Sequence, residues 1–150
     1  MLTATIREEL KVAMKAREEL RLSVIRSMIT AFTNELVGKG RKPTDVLSDE
    51  EAIAVLKRLH KQRTDSAEQF DKGNRPELAE KERAERLIIE AYLPARASRE
   101  QIEKAVNEKM AELGVADKTG MGKLMGAVMK SLGASADGND VKAVIDELLK

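Results

Sequence analysis

The sequence predicts an all-α protein in two parts, an N-terminal four-helix domain over residues 1–93 and a C-terminal three-helix domain over residues 94–150. Three observations lead to this fold class. Apolar residues recur at spacings of three and four along almost the whole chain, which is the helical period. No run of β-branched residues alternates with polar ones, as it would in a half-buried strand. The prolines, at positions 43, 76 and 94, each mark a break or an edge of a helical pattern.

Four helices are predicted in the N-terminal half. The first covers about residues 3–17 and the second about 19–37, where a wide apolar arc indicates packing on more than one side. A basic loop rich in glycine then breaks the pattern. Ser48 and Glu51 form a capping box that starts the third helix. That helix ends near Gly73, and the fourth begins two residues later, so the two form an antiparallel hairpin.

Three helices are predicted after Pro94, which stops the fourth helix and marks the domain boundary. Ser98 and Gln101 form a second capping box at the start of the fifth helix. Asp117 is predicted to cap the sixth helix and Asp137 the seventh, because a carboxylate at this position accepts from free backbone N–H groups.

The composition excludes several classes of protein. Cysteine is absent, which excludes a disulfide scaffold and a thiolate metal site. The lone histidine makes no metal site by itself, so we expect neither a metal nor a cofactor. The net charge is +1 and each half is nearly neutral, so any nucleic-acid binding depends on a local patch. No signal peptide or apolar span is evident, and we expect a cytoplasmic protein that binds neither membrane nor DNA.

Two side chains of the third helix carry candidate chemistry. His60 lies within the apolar stripe, which is typical of a histidine at the edge of a core but also allows an acid–base role. Arg63 lies near the middle of that stripe, where a buried guanidinium needs a partner. It is interpreted as a structural ion pair with Glu82 or Glu85, or alternatively as an anion site at a partner surface. No serine has the context of a catalytic nucleophile.

The segment from Gly120 to Leu124 superficially suggests a phosphate-binding loop. It lacks the first glycine of that motif and the hydroxyl residue after Lys123, so this function is rejected. Three glycines then remain, at positions 120, 122 and 126, within the predicted sixth helix, where each costs about 0.8–1.0 kcal/mol relative to alanine. Either another helix packs tightly there, or a nucleic-acid backbone or partner helix approaches closely. The nearby lysines could supply phosphate contacts.

Several segments of the chain, taken in order, resemble those of a known family. They read RLSVIR from Arg21, KQRTDS from Lys61, EKE from Glu80, EAYLP from Glu90 and GKLMGAVM from Gly122, followed by ADG from Ala136. In their order and spacing they resemble the GatB/YqeY family, of the small stand-alone YqeY-like type, over nearly the whole length.

This resemblance implies an all-helical protein in two parts, related to the tail of the B subunit of aspartyl/glutamyl-tRNA amidotransferase, a carbon–nitrogen ligase. In that enzyme the tail engages tRNA while other domains carry the chemistry. If this carries over, the residues expected to contact tRNA or a partner are Lys118, Gly122, Lys123, Gly126, Lys130, Asp137, Gly138 and Lys142.

The resemblance does not extend to catalysis, because the chain lacks an amidase nucleophile and an ATP loop. We therefore predict a non-catalytic adaptor for tRNA or a tRNA-processing protein. The alternative is a protein–protein interaction module without RNA binding. A third hypothesis is an enzyme that uses His60 and neighbouring carboxylates.

Overall fold

The computed structural model describes residues 1–149, in which the chain forms seven α-helices and no strand. The all-α prediction is confirmed for this part of the chain. The helices are α1 (Leu2–Ala16), α2 (Glu19–Gly38), α3 (Asp49–Lys72), α4 (Pro76–Glu90), α5 (Arg99–Leu113), α6 (Met121–Leu132) and α7 (Gly138–Leu148). Two single 3-10 turns, Lys118–Gly120 and Gly133–Ser135, flank α6.

The tertiary contacts divide the chain into two compact units, Met1–Leu93 and Pro94–Lys150, which we call the N-terminal and the C-terminal unit. Helices α1 to α4 lie in the first unit and α5 to α7 in the second. That the two units fold independently, as domains, stays a prediction.

The N-terminal unit consists of two helix pairs, α1 with α2 and α3 with α4, around one apolar core. Ile25, Met28 and Leu56 are fully buried in this core. The predicted capping box is confirmed, because the Ser48 hydroxyl accepts from the Glu51 N–H while the Glu51 carboxylate accepts from the Ser48 N–H. Apolar spacing predicts that one face of the fourth helix, with Ala84, Leu87, Ile88, Ala91 and Tyr92, packs into the core. This is wrong for two of them, since Leu87 is 63% exposed and Ala91 is exposed as well.

The C-terminal unit packs α5, α6 and α7 around a second core that includes Val106, Leu124 and Ile145. The capping box at the start of α5 is confirmed. Asp117, however, caps the 3-10 turn before α6, where its carboxylate accepts from the Thr119 N–H, so α6 itself begins only at Met121.

The carboxylate of Glu51 gives the N-terminal unit a predictable response to acid. It accepts from Lys39 Nζ at 2.9 Å and from Arg41 Nη1 at 3.0 Å. The hydrogen bond from Lys39, then that from the Ser48 backbone, lowers the pKa of Glu51 from 4.5 to about 2. A carboxyl with a lowered pKa stabilises the folded state above its unfolded pKa, and this stabilisation is lost as the pH falls through the folded value.

We expect Glu51→Gln to cost more stability at about pH 7 than at about pH 3, because the lost contribution disappears between pH 4.5 and 2. Urea unfolding followed by the fluorescence of Tyr92, the sole tyrosine in a chain without tryptophan, reports on the N-terminal unit. Glu68→Gln, which removes an exposed carboxylate from the same helix, is the control. An equal cost of Glu51→Gln at both pH values would contradict this assignment.

Candidate functional site

Most of the predicted contact residues lie on or beside α6. Leu124 and Val128 point into the core of the C-terminal unit and are fully buried. At 100° per residue the opposite side of the helix carries Gly122, Gly126, Lys123 and Lys130. All four are exposed, and we call these residues the α6 surface.

The two glycines of the α6 surface face open space. A Cβ atom built on Gly122 or Gly126 has no neighbouring heavy atom within 4 Å. Tight packing of α5 or α7 against Gly122 and Gly126, one of the two interpretations from the sequence, is therefore wrong. Only Gly126 lies in the interior of α6, where glycine is less stable than alanine, because Gly122 is the second residue of the helix.

Gly120 has a different role from the other two glycines. It lies in the 3-10 turn rather than inside α6, and a Cβ atom there would come within 2.8 Å of both methyl carbons of Val115. Here a close internal contact does require glycine. The sequence pattern could not separate this position from Gly122, because the contact comes from the loop after α5.

The charged side chains of α6 and of the two 3-10 turns beside it are all lysines. Residues 118–136 contain three lysines and no carboxylate. The three lysines are Lys118, Lys123 and Lys130, all exposed and without an ion pair in residues 1–149. Two arginines of the same unit are paired, Arg96 with Asp140 at 2.7 Å and Arg99 with Glu103 at 2.9 Å. The cations near α6 thus remain available to an external anion, although the chain as a whole is almost neutral.

Asp137 and Gly138 serve the local structure. The Asp137 carboxylate caps α7 by accepting from the N–H groups of Asn139 at 2.9 Å and Asp140 at 3.3 Å. A Cβ atom on Gly138 would contact the methyl carbon of Met125 at 3.8 Å, which is an ordinary distance. Lys142 lies on the exposed side of α7 and has no ion pair in the described residues.

Arg63 lies at the junction of α2, α3 and α4. Its Nε atom is 3.6 Å from the Glu85 carboxylate, and both side chains are 15% exposed. Its Nη2 atom donates to the hydroxyl of Ser27 at 3.2 Å. The structure thus brings Arg63 to Glu85, one of the two carboxylates named from the sequence, and adds a contact to α2.

His60 belongs to a neighbouring polar group that sequence reasoning missed. Its Nε2 atom lies 2.7 Å from the carboxylate of Glu90, and its side chain is 29% exposed. Arg86 lies 3.8 Å from the same carboxylate and donates to the hydroxyl of Thr64 at 3.2 Å. The spacing of Arg86 and Glu90, four residues apart on α4, was the available signal for this pairing.

Neither a metal-binding cluster nor a membrane-spanning helix occurs within residues 1–149. No group of three or more His, Asp or Glu side chains there is arranged to hold a metal ion. Each helix in this range is too short or too polar to span a lipid bilayer.

These features define an all-helical protein of two compact units, with an unpaired basic surface on α6. The chain belongs to the YqeY-like protein family, whose model matches residues 3–149. The family assignment made from the sequence segments is thereby confirmed.

Several curated relatives of the chain are fungal proteins. The "Altered inheritance of mitochondria protein 41, mitochondrial" of Kluyveromyces lactis is 36% identical over 73% of this chain and 59% of its own length. The protein of that name from Lachancea thermotolerans is 34% identical over 73% of the chain and 58% of its length. The one from Clavispora lusitaniae is 30% identical over 99% of the chain and 88% of its length. The chain thus spans less than two thirds of the first two relatives.

The names of these relatives contradict the expectation of a cytoplasmic location, because they describe mitochondrial proteins. That expectation rested on missing cysteines and on a missing secretory signal. Neither observation distinguishes the cytoplasm from the interior of an organelle, so the inference was wrong.

Proposed function

We propose that this protein is a non-catalytic helical adaptor that binds tRNA through the α6 surface of a C-terminal three-helix domain. In this proposal the chain is related to the amidotransferase, a carbon–nitrogen ligase, only by family kinship. Its own role is to bind and not to catalyse. The partner is tRNA or a tRNA-processing protein that presents it.

One observation carries the proposal. Gly122 and Gly126 are open to solvent beside two unpaired lysines, Lys123 and Lys130. A helix face without side chains lets a phosphodiester backbone approach closely, and lysine side chains beside it contact phosphate oxygens. Each contact releases condensed counterions, so binding of this kind is strongly dependent on salt.

A protein partner is the second candidate, and the methionines of α6 favour it. Met125 and Met129 are partly buried and lie beside the glycines on the helix surface. Methionine side chains adapt to different apolar partners, and glycines four residues apart allow a helix to pack closely. Such a partner would bind with little dependence on salt.

The test is a tRNA gel shift over a range of salt concentrations with Lys123→Gln/Lys130→Gln. Because each lost phosphate contact lowers the salt slope by about one, we expect the slope to fall by about two and the affinity to fall with it. The control, Lys15→Gln/Lys81→Gln, makes the same change in net charge on exposed lysines of the N-terminal unit. We expect it to bind like the unaltered chain.

Two results would overturn the proposal. One is the absence of tRNA binding at low salt. The other is equal weakening by the α6 variant and by the control, which would show that only net charge matters.

A further inference from the structure

Three methionines form a row along one side of α6. Met121, Met125 and Met129 follow each other at intervals of four residues, so their side chains are neighbours on the helix. All three are half-buried and pack against the core of the C-terminal unit. We call them the methionine row. It borders the α6 surface, because Gly122 and Gly126 each precede a methionine of the row by three residues.

The methionine row is the part of this unit that is open to oxidation. Residues 94–150 contain no cysteine, tryptophan, tyrosine or histidine, so methionine carries the readily oxidised atoms there. A thioether that solvent reaches reacts with peroxides, whereas a fully enclosed one is shielded. The N-terminal unit provides both extremes for comparison, since Met28 is fully buried and Met14 is 51% exposed.

The packing of the row gives its oxidation a structural effect. The methyl carbon of Met125 lies 3.8 Å from the position that a Cβ atom on Gly138 would take, and Gly138 is the first residue of α7. The thioether thus lies between α6 and the start of α7. Oxidation converts it into a polar sulfoxide. Because a polar group that loses water without gaining a hydrogen bond is costly, the sulfoxide weakens the packing of α6 against α7.

We propose that the methionine row is a site of reversible oxidation by hydroperoxides, and that this modification weakens RNA binding at the α6 surface. The sulfur lone pair attacks one oxygen of hydrogen peroxide, a sulfur–oxygen bond forms, the oxygen–oxygen bond breaks, and water is released. Sulfur is oxidised and the peroxide is reduced. Methionine sulfoxide reductases reverse the reaction, with one enzyme for each sulfoxide epimer. The effect on RNA rests on the function proposed above, whereas the modification and its effect on stability do not.

The test treats the full chain with hydrogen peroxide at neutral pH. Peptide mass spectrometry locates the sulfoxides, urea unfolding followed by circular dichroism measures stability, and the tRNA gel shift measures affinity. We expect sulfoxide at all three positions of the row and none at Met28. We also expect a lower urea midpoint and about tenfold weaker tRNA binding. Both reductases, supplied with dithiothreitol as the reductant, are expected to restore the midpoint and the affinity.

A leucine variant identifies the sulfur atoms that cause these effects. Met121→Leu/Met125→Leu/Met129→Leu keeps similar volumes and apolar packing but leaves no thioether in the row. We expect its midpoint and its tRNA affinity to survive peroxide, although the half-buried Met110 of α5 is still present. Met14→Leu, on the exposed side of α1, is the matched control and is expected to remain as sensitive as the unaltered chain.

The proposal is wrong if the row stays unoxidised under conditions that oxidise Met14, or if its oxidation changes neither the midpoint nor the affinity. It is also wrong if the leucine variant loses as much stability in peroxide as the unaltered chain. Should that variant not fold, the reductases decide, because a midpoint that they do not restore contradicts a reversible modification. An untreated chain that fails to bind tRNA would refute the proposed function, and the mass spectra and midpoints would still decide whether the row is a modification site.

Discussion

Replacing Arg63 with alanine is expected to destabilise the N-terminal unit by roughly 2–4 kcal/mol, because it leaves a mostly buried carboxylate without its cation. Glu85 lies 3.6 Å from Arg63, and each side chain is only 15% exposed. The substitution also removes the hydrogen bond that Arg63 donates to Ser27, which is one of the polar connections from α3 to α2. The loss of the packed aliphatic stem acts in the same direction.

The measurement is urea unfolding followed by Tyr92 fluorescence. Lys11→Ala is the matched control, because it breaks an ion pair of 3.0 Å to Glu8 whose side chains are 68% and 70% exposed. We expect this exposed pair to contribute less than about 1 kcal/mol. If Arg63→Ala costs no more than Lys11→Ala, the pair with Glu85 does not stabilise the unit.

A second variant distinguishes the effect of the unpaired Glu85 carboxylate from the effect of a general loss of packing. Arg63→Met combined with Glu85→Leu removes both charges and keeps similar volumes, so we expect it to recover most of the stability lost in Arg63→Ala. A double variant as unstable as Arg63→Ala would mean that packing around the guanidinium, and not the uncompensated carboxylate, causes the loss.

The local parts of this fold could be predicted from the sequence. Both capping boxes, Ser48 with Glu51 and Ser98 with Gln101, were read correctly because their hydrogen bonds join residues three positions apart. Helix type followed from apolar spacing for the same reason. Such interactions depend on a few consecutive residues and little on the rest of the chain.

Features that depend on distant neighbours could not be predicted in this way. Periodicity gives the angle of a residue around its helix but not what lies opposite, so Leu87 was assigned to the core although it is exposed. The same limit applies to Gly122 and Gly126, for which the sequence leaves both interpretations, internal packing and external approach, open. The contact of Val115 with Gly120, and the open space at the other two glycines, required the folded chain.

The availability of the α6 lysines also depends on the folded chain. The sequence shows that residues 118–136 contain no carboxylate. It does not show which carboxylates arrive from elsewhere, and the hydrogen bond of Arg99 to Glu147, 48 residues away, illustrates how far such pairing extends. In the structure no carboxylate reaches Lys118, Lys123 or Lys130 within the described residues, and this makes α6 a candidate surface.

Gly126→Ala is expected to stabilise the C-terminal unit and to weaken tRNA binding. The φ angle of Gly126 is not positive, and no heavy atom lies within 4 Å of a Cβ atom built there. Alanine therefore fits without strain. Alanine in a helix interior is more stable than glycine by about 0.8–1.0 kcal/mol. On the outside, the added methyl group holds a phosphate backbone away from the helix, and we expect a loss of about tenfold in affinity, equivalent to 1.4 kcal/mol.

A Gly126→Ala variant with higher stability and lower tRNA affinity would identify Gly126 as part of a binding surface. At a purely structural position the substitution would leave the affinity unchanged. Far-ultraviolet circular dichroism measures unfolding of the variant, and the tRNA gel shift measures its affinity. Gly38→Ala is the control for binding, because this glycine also faces open space at a helix end, but in the N-terminal unit. Gly120→Ala is the control for stability, since its methyl group would collide with Val115 and lower the free energy of unfolding. A Gly126→Ala variant that is more stable and binds tRNA with unchanged affinity would show that no phosphate backbone approaches this face, and the function proposed for the α6 surface would have to be abandoned.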